Sequence, residues 1–327
     1  MSAPVAVPVV RDAVVVGGGP AGLAAATWLA RYRRDVVLVD AGEQRARPVE
    51  WSHGYLGRDP QRPLDLIAIA RTQLLGYSTT SDIVGSVVSA RRDGEHFVLE
   101  LDDGRELTTL RVVLATGVVD ACPDIDGFAE HYGASAFHCP ACDGYDAQDR
   151  DVVAYGWDER LVGFAASLLN WARSVTVLTG GHRFAGDEAC QDVLSRHDIE
   201  VVETPAVRML GSRGELTGIE LADGRVVPAE LLFFSVDHTP RADLARALGC
   251  RIDDEGYVEI DGNGATSVEG VYAAGDLVPG LQLVQVAAAQ GTAAGIAAAR
   301  SLHGTEGSPL SPPPAPDAPR EVDAARP

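Results

Sequence analysis

Two cysteines separated by two residues, Cys139 and Cys142, are the clearest chemical signal in this chain. The sulfur atoms of such a pair lie close enough to form a reducible disulfide, and the pairing lowers the pKa of one thiol. A zinc site would need four ligands, but His138 and the two cysteines supply three, with no fourth residue at zinc spacing. The pair, followed at once by the acid Asp143, therefore predicts reversible oxidation and no metal site.

A glycine-rich segment near the N-terminus is the second signal. It consists of Gly17, Gly18, Gly19, Pro20, Ala21 and Gly22. It stands between an apolar run ending at Val16 and a helical pattern, and Asp40 ends the next apolar run, 18 residues beyond Gly22. Glycines at these positions let the backbone approach a pyrophosphate at a helix N-terminus, and the acid would accept from ribose hydroxyls. A glycine-rich turn with a surface acid explains the glycines but not this spacing, so we predict dinucleotide binding by Gly17, Gly19, Pro20, Ala21, Gly22 and Asp40.

Further elements must complete the nucleotide fold. Two alternating stretches, 86–91 and 96–101, predict a small β-meander, and the run 111–114 predicts a buried strand. That strand is closed by a turn consisting of Ala115, Thr116 and Gly117. Near the end of the chain, another strand leads into Gly275 and Asp276, before an alanine-rich helix over about 285–302.

These pieces resemble the motifs of a known group of flavoproteins. The glycine segment with Asp40, the 115–117 turn and the segment 272–276 resemble the FAD-binding motifs of two-dinucleotide-domain flavoproteins. The segment 138–144 resembles the active site of low-molecular-weight thioredoxin reductases, and the resemblance covers most of residues 10–303. It implies an FAD cofactor.

The resemblance also implies a role for several residues. Asp276 would bond the ribityl chain of FAD, and Gln285 keeps the glutamine of the family's flavin-facing helix, whereas Val284 replaces the arginine before it. Cys142 would face the flavin, Cys139 would exchange with an external thiol or disulfide, and Asp143 would protonate the leaving thiolate.

The resemblance implies an α/β fold of two Rossmann-like, three-layer domains, the second inserted in the first. We expect the FAD domain over 1–118 and 244–303, and an inserted NAD(P)H-like domain bearing the redox pair over 119–243. The proline-rich tail, 304–327, is predicted to be disordered. The resemblance alone suggests a homodimer.

The expected second nucleotide fingerprint is broken. In the inserted region Gly156 remains, but it is followed by Trp157, Asp158 and Glu159. The indole is too bulky for close approach of a pyrophosphate, and the two acids place negative charge where phosphates should lie. The basic cluster expected after the strand 175–178 is reduced to a displaced Arg183. NADPH binding is therefore doubtful.

Three functions remain open on this pattern. The flavin could be reduced by a dithiol and reoxidised by oxygen, as in thioredoxin reductase-like dithiol oxidases of small sulfur metabolites, whose redox motif begins like His138-Cys139-Pro140. A reductase fed by NADPH or by ferredoxin is the alternative, favoured by Asp143, where dithiol oxidases often carry histidine. The third is a non-catalytic flavoprotein that senses redox state. The partner would be a small dithiol or disulfide, or a thioredoxin-like protein.

Composition excludes other classes. The formal net charge is −20 and every basic residue is arginine, which argues against nucleic acid as partner and excludes lysine chemistry. No apolar stretch reaches the length of a membrane span, so we expect a soluble protein. Five cysteines are too few and too unevenly spaced for a secreted disulfide framework, so we expect it to be cytoplasmic. Cys122, Cys190 and Cys250 are interpreted as structural, since a free cysteine usually behaves as a small buried hydrophobic residue. His53 falls where the family's loop passes near the flavin, and its role stays open.

Overall fold

The computed structural model describes residues 9–184 and 186–303, so the predicted tail 304–327 lies outside the described residues. The first part of the chain forms six strands and two helices. They are β1 (Val10–Val16), α1 (Pro20–Arg31), β2 (Val36–Asp40), α2 (Pro63–Leu74), β3 (Thr80–Val84), β4 (Val87–Asp93), β5 (His96–Leu101) and β6 (Glu106–Leu114).

The middle of the chain forms a second group of elements. They are β7 (Val118–Asp120), α3 (Phe128–His131), β8 (Ala136–Phe137), α4 (Pro140–Asp143), β9 (Asp151–Tyr155), α5 (Arg160–Leu168), β10 (Ser174–Leu178), α6 (Glu188–Arg196), β11 (Glu200–Val202), β12 (Ala206–Ser212), β13 (Glu215–Leu221), β14 (Val226–Val227), β15 (Leu231–Phe234) and β16 (His238–Pro240). The chain ends with α7 (Asp243–Ala247), β17 (Val271–Ala273) and α8 (Val284–Ser301).

The first sheet has the order β3-β2-β1-β6-β5-β4, and β17 joins it by pairing with the end of β6. Strands β3, β2, β1, β6 and β17 run parallel, whereas β4 and β5 form the predicted meander. Alternate residues of β1 face opposite sides, as a strand requires: Val15 packs under α1 and α8, and Val14 packs under the meander. The carboxyl ends of β1, β6 and β17 therefore meet at one edge beside the start of α1.

Helices α1 and α8 lie very close together because glycines face the contact. A Cβ added to Gly291 would lie 2.0 Å from the carbonyl oxygen of Ala21, and one added to Gly295 would lie 2.5 Å from that of Ala25. No larger residue fits without moving a backbone. This contact fixes the start of α1 relative to β17 and the segment before α8.

The second sheet has the order β11-β10-β9-β15-β8, and all its strands are parallel. Helices α5 and α6 cover one face, and the antiparallel strands β12, β13 and β14 contribute to the other. A largely parallel sheet with an antiparallel edge and a fully parallel sheet, both packed against helices, confirm the predicted α/β class. In the described ranges, 9–184 and 186–303, no helix is long and apolar enough to span a membrane.

Two short strands connect the sheets. Strand β7 lies where the chain leaves the first sheet, and β16 lies where the chain returns to it. The two strands pair antiparallel, with His238 opposite Asp120. They lie next to the predicted domain boundaries at 118/119 and 243/244. The division into domains at those boundaries stays a prediction. The redox helix α4 follows β7 in the chain, after α3 and β8.

Candidate active site

A cavity of about 710 Å³ opens at the edge where β1, β6 and β17 end. It brings together almost all of the site residues predicted from the sequence. Those lining it are Gly17, Gly19, Pro20, Ala21, Asp40, Ala115, Thr116, Gly117, Cys139, Cys142, Asp143, Gly275 and Asp276. The glycine turn and the redox pair, more than 100 residues apart in the chain, therefore share one cavity.

The glycine turn has the tight geometry that the motif predicts. Gly17 has a φ of +105°, and a Cβ there would lie 2.3 Å from the carbonyl oxygen of Ala115. Gly22 does not line the cavity, because its Cβ position lies 1.8 Å from the carbonyl oxygen of Gly17 and it packs the helix against the strand. A Cβ on Gly19 would meet nothing within 4 Å, so the cavity is open there.

The start of α1 presents free backbone groups to that open space. Gly19 is the N-cap residue and has no side chain to satisfy the N–H groups of the first turn. Pro20 begins the helix, where its missing N–H costs nothing. This arrangement fits a pyrophosphate, whose negative charge is stabilised at a helix N-terminus.

Asp40 is fixed at the end of β2. It is 6% exposed, accepts from the Gly18 N–H at 3.1 Å and from the Gln44 side chain at 2.8 Å, and pairs with Arg71. A carboxylate can accept about four hydrogen bonds, so one position remains for a ribose hydroxyl. The residue predicted to bind ribose thus has the burial, partners and free capacity for that contact.

Arg45 is a cavity residue that sequence reasoning missed. Its guanidinium donates to both oxygens of Asp120 at 2.8 and 2.5 Å, to Asp276 at 3.0 Å and to Gln282 at 2.6 Å. It therefore ties the predicted ribityl-binding acid to strand β7. Nothing in the sequence marks Arg45, since its acidic partners lie 75 and 231 positions away.

The redox pair forms a disulfide at the start of α4. Cys139 and Cys142 are bonded, with Cα atoms 5.3 Å apart, and Cys139 Sγ accepts from the Cys142 N–H at 3.1 Å. Of the cysteines interpreted as structural, Cys250 is buried and Cys190 is half-buried against the core of the second sheet, whereas Cys122 is exposed. Cys122 is exposed because it follows β7 on the connection between the sheets.

Asp143 lies buried beside the disulfide, with 7% of its surface exposed. Burial raises its pKa from 3.8 to about 7, against a lowering by His53 and together with a further rise due to Asp146. The carboxyl can therefore both hold and release a proton near neutral pH. That is the property of an acid or base in thiol exchange.

His138, directly before the pair, also lines the cavity. Burial, and then the positive charge of Arg45, lower its pKa to about 4, so the ring is neutral at physiological pH. Its Nδ1 lies 3.4 Å from the hydroxyl of Tyr132, which in turn donates to Asp120 at 3.3 Å. The neutral imidazole is a weak base that can accept a hydrogen bond, and this network links it to the Arg45 cluster.

Comparison with known proteins identifies the molecule. A family model described as pyridine nucleotide-disulphide oxidoreductase matches residues 11–291. The chain belongs to this family. The thioredoxin reductase tcpT of Claviceps purpurea (strain 20.1) is 31% identical, over 89% of this chain and 94% of the relative.

Solved structures agree. The crystal structure of HlmI has a TM-score of 0.85 and 36% identity, over 90% of this chain and 92% of that one. The putative thioredoxin reductase TrxB of Bacillus anthracis has a TM-score of 0.83 and 28% identity, over 89% and 98%. The protein is thus a thioredoxin reductase-like disulfide oxidoreductase with the two-domain Rossmann-type fold expected from its sequence.

This disulfide oxidoreductase has an altered second nucleotide turn between β9 and α5. The Trp157 ring stacks on His182 with centroids 4.2 Å apart. Asp158 accepts from the Arg160 N–H at 3.0 Å and pairs with its side chain, which also reaches Asp237 at 2.8 Å. The Asp158 carboxylate therefore accepts a hydrogen bond from an N–H of the first turn of α5, whereas no side chain at the N-cap of α1 does so.

Besides Gly22, one further predicted cofactor residue, Gln285, does not line the cavity. Gln285 is exposed, and its Oε1 accepts from the Leu56 N–H at 3.0 Å. Successive helix residues are 100° apart, so Val284 and Ala287 face the cavity while Gln285 lies with Ala288 on the next face, along a separate groove. The structure therefore places Gln285 outside the cavity, and its flavin contact stays a prediction.

Proposed function

We propose that this disulfide oxidoreductase binds FAD and oxidises small dithiols, with oxygen as the final electron acceptor and without NADPH. The observation that carries the proposal is the contrast between the two nucleotide turns. The turn at Gly19 is open and its helix N-terminus is free. At the second turn, the Trp157 ring stacks on His182, and Asp158 accepts a hydrogen bond from the Arg160 backbone N–H.

The residues of the first turn fit FAD. The start of α1 would hold the pyrophosphate, Asp40 the ribose and Asp276 the ribityl chain. Bound FAD would supply a two-electron acceptor for the reduced cysteine pair and pass the electrons to oxygen. Arg45 holds Asp276 in place through an ion pair of 3.0 Å.

The thiol exchange transfers two electrons from the substrate dithiol to the disulfide of the cysteine pair. A thiolate of the dithiol attacks Sγ of Cys139, the disulfide breaks, and Cys142 leaves as a thiolate. The second substrate sulfur, once deprotonated, attacks the mixed disulfide and displaces Cys139. The substrate loses two electrons and two protons and becomes a disulfide, while the cysteine pair gains two electrons.

Asp143 is the group beside the pair that can move the protons. With a pKa of about 7, its carboxyl can take a proton from a substrate thiol or give one to a leaving thiolate. His138 stays neutral, and its low pKa of about 4 makes it a weak base, so it can accept a hydrogen bond but not the thiol proton. Both residues line the cavity that holds the disulfide.

The altered turn weakens NADPH binding in two ways. The Trp157 ring, stacked on His182, would crowd a pyrophosphate at this turn, and Asp158 already takes the N–H of Arg160. The Asp158 charge is balanced in part by its ion pair with Arg160, whereas Glu159 at the N-cap adds a negative charge that would repel a pyrophosphate by up to about 1 kcal/mol. Together with the bulk of the indole, these features would weaken binding about 10-fold or more.

A conventional reductase is the second candidate, because Asp143 is the acid expected in a thioredoxin reductase. In that case electrons would pass from NADPH or ferredoxin to the cysteine pair and on to a disulfide substrate. A redox sensor would accept one pair of electrons and stop.

Oxygen uptake with a dithiol tests the proposal. With dithiothreitol and no nicotinamide, the protein should turn over repeatedly and produce one hydrogen peroxide per dithiol, and Cys139→Ser should abolish turnover. A single turnover would support a sensor. Turnover that requires NADPH or reduced ferredoxin would support the reductase.

A further inference from the structure

The loop formed by residues 52–61 lies beside the redox pair and is held at two points. At its base, the Ser52 and Gln61 backbones exchange hydrogen bonds of 2.9 and 3.0 Å. At its tip, the Leu56 N–H donates to Gln285 on α8 at 3.0 Å. The loop therefore has a defined position in spite of having little regular structure.

His53 makes a third link, from this loop to the redox segment. Its Nδ1 lies 3.1 Å from Asp59 in the same loop, and its Nε2 lies 3.4 Å from Asp146 in the turn Gly144–Ala147, directly after α4. The side chain is about one-third exposed and lines the same cavity as Cys142 and Asp143. It thus connects solvent, the loop and the redox segment.

The charges around this link act on Asp143 with opposite signs. His53 lowers the pKa of that carboxyl, whereas Asp146 raises it. The charged groups that face His53 are Asp59 from the loop and Asp146 from the turn. The His53 side chain therefore lies between the carboxyl groups of Asp59 and Asp146, and it shares the cavity with a third carboxyl group, that of Asp143.

We propose that His53 is a positioning residue of the redox centre, which holds loop 52–61 to the turn after the cysteine pair. The inference rests on the proposed role of Asp143 as the acid or base of thiol exchange. It assigns a function to a loop residue whose role the sequence leaves open.

Two substitutions separate charge from contact. His53→Gln keeps an amide that can donate to Asp146 but removes the imidazole, and Asp146→Asn removes a negative charge from the same link. His197→Gln is the matched control, since His197 is exposed at the end of α6. The readout is the pH dependence, from pH 5 to 9, of iodoacetamide reaction with the reduced cysteine pair of the FAD-loaded protein.

The midpoint that disappears in Asp143→Asn identifies the ionisation of Asp143. His53→Gln should move this midpoint upward by about 0.5 pH unit or more, and Asp146→Asn should move it downward. His197→Gln should not move it. An unchanged midpoint in His53→Gln, or shifts of the same sign in both variants, would overturn the proposal.

The alkylation measurement does not require turnover. A protein that fails to oxidise dithiols would refute the proposed function, yet the midpoints would still report on His53. The two hypotheses can therefore fail separately.

Discussion

Replacing Asp143 by asparagine should stabilise the fold while it impairs the chemistry. The carboxyl is buried beside the disulfide, and burial raises its pKa from 3.8 to about 7. The folded state therefore disfavours the ionised form that the unfolded chain adopts freely at neutral pH. Asparagine has the same shape and no charge to desolvate.

The size and sign follow from linkage. Well below pH 3.8 the carboxyl is protonated in both states, so its ionisation contributes no difference. As the pH rises towards 7 the unfolded chain ionises first and the free energy of unfolding falls. The difference between about 7 and 3.8, at about 1.36 kcal/mol per pH unit, amounts to about 4 kcal/mol above pH 7.

Urea unfolding at pH 4, 6 and 8, with the disulfide intact and FAD saturating, would measure this effect. The stability advantage of Asp143→Asn over the wild type should grow by up to about 4 kcal/mol between pH 4 and pH 8. Asp254→Asn, at an exposed turn position, is the control and should show no such growth. An advantage that is constant with pH would refute the reasoning, because it would mean that Asp143 ionises as readily in the folded protein as in the unfolded chain.

Three further outcomes are expected. Cys142→Ser should abolish dithiol-driven flavin reduction, measured by flavin absorbance, and retained reduction would contradict its role. Gly22→Ala should lower the yield of folded protein, because its Cβ would lie 1.8 Å from a carbonyl oxygen, whereas Gly19→Ala should fold but bind FAD about 10-fold or more weakly, as followed by flavin fluorescence. Arg45→Met should also weaken FAD binding about 10-fold or more, since it leaves the partly buried carboxylates of Asp120 and Asp276 without this cation; the exposed Arg47→Met is its control, and equal affinity in both variants would argue against the Arg45 cluster.

The glycine turn and the redox pair could be predicted because their signals are local. Gly17, Gly22 and Asp40 lie within one strand-helix-strand unit, so their spacing reflects the geometry of a single turn. The two cysteines lie within one turn of α4. Short-range constraints of this kind are visible in the sequence itself.

The Arg45 cluster and the place of Gln285 could not be predicted in the same way. Arg45 lies in an irregular loop without periodicity, and its partners come together only when β7 and β17 are in place. Gln285 depends on the rotation of α8 about its axis, which the close contact of Gly291 with α1 fixes. Both are properties of tertiary packing.

The altered nucleotide turn stands between these cases. Trp157 and Asp158 could be identified from the sequence as misplaced bulk and charge. Their contacts could not be predicted, because His182 comes from the loop after β10 and the Arg160 side chain turns back to pair with Asp158. The structure therefore adds the contacts that hold the indole and the carboxylate at this turn.

Anaerobic reduction of the bound flavin is the most direct test of the proposed electron path. The FAD-loaded protein would be mixed, in separate stopped-flow experiments, with dithiothreitol and with NADPH, and the loss of flavin absorbance followed. The account predicts rapid bleaching by the dithiol, recovery on admitting oxygen, and little bleaching by micromolar NADPH. Rapid bleaching by micromolar NADPH would contradict it and would establish the reductase instead.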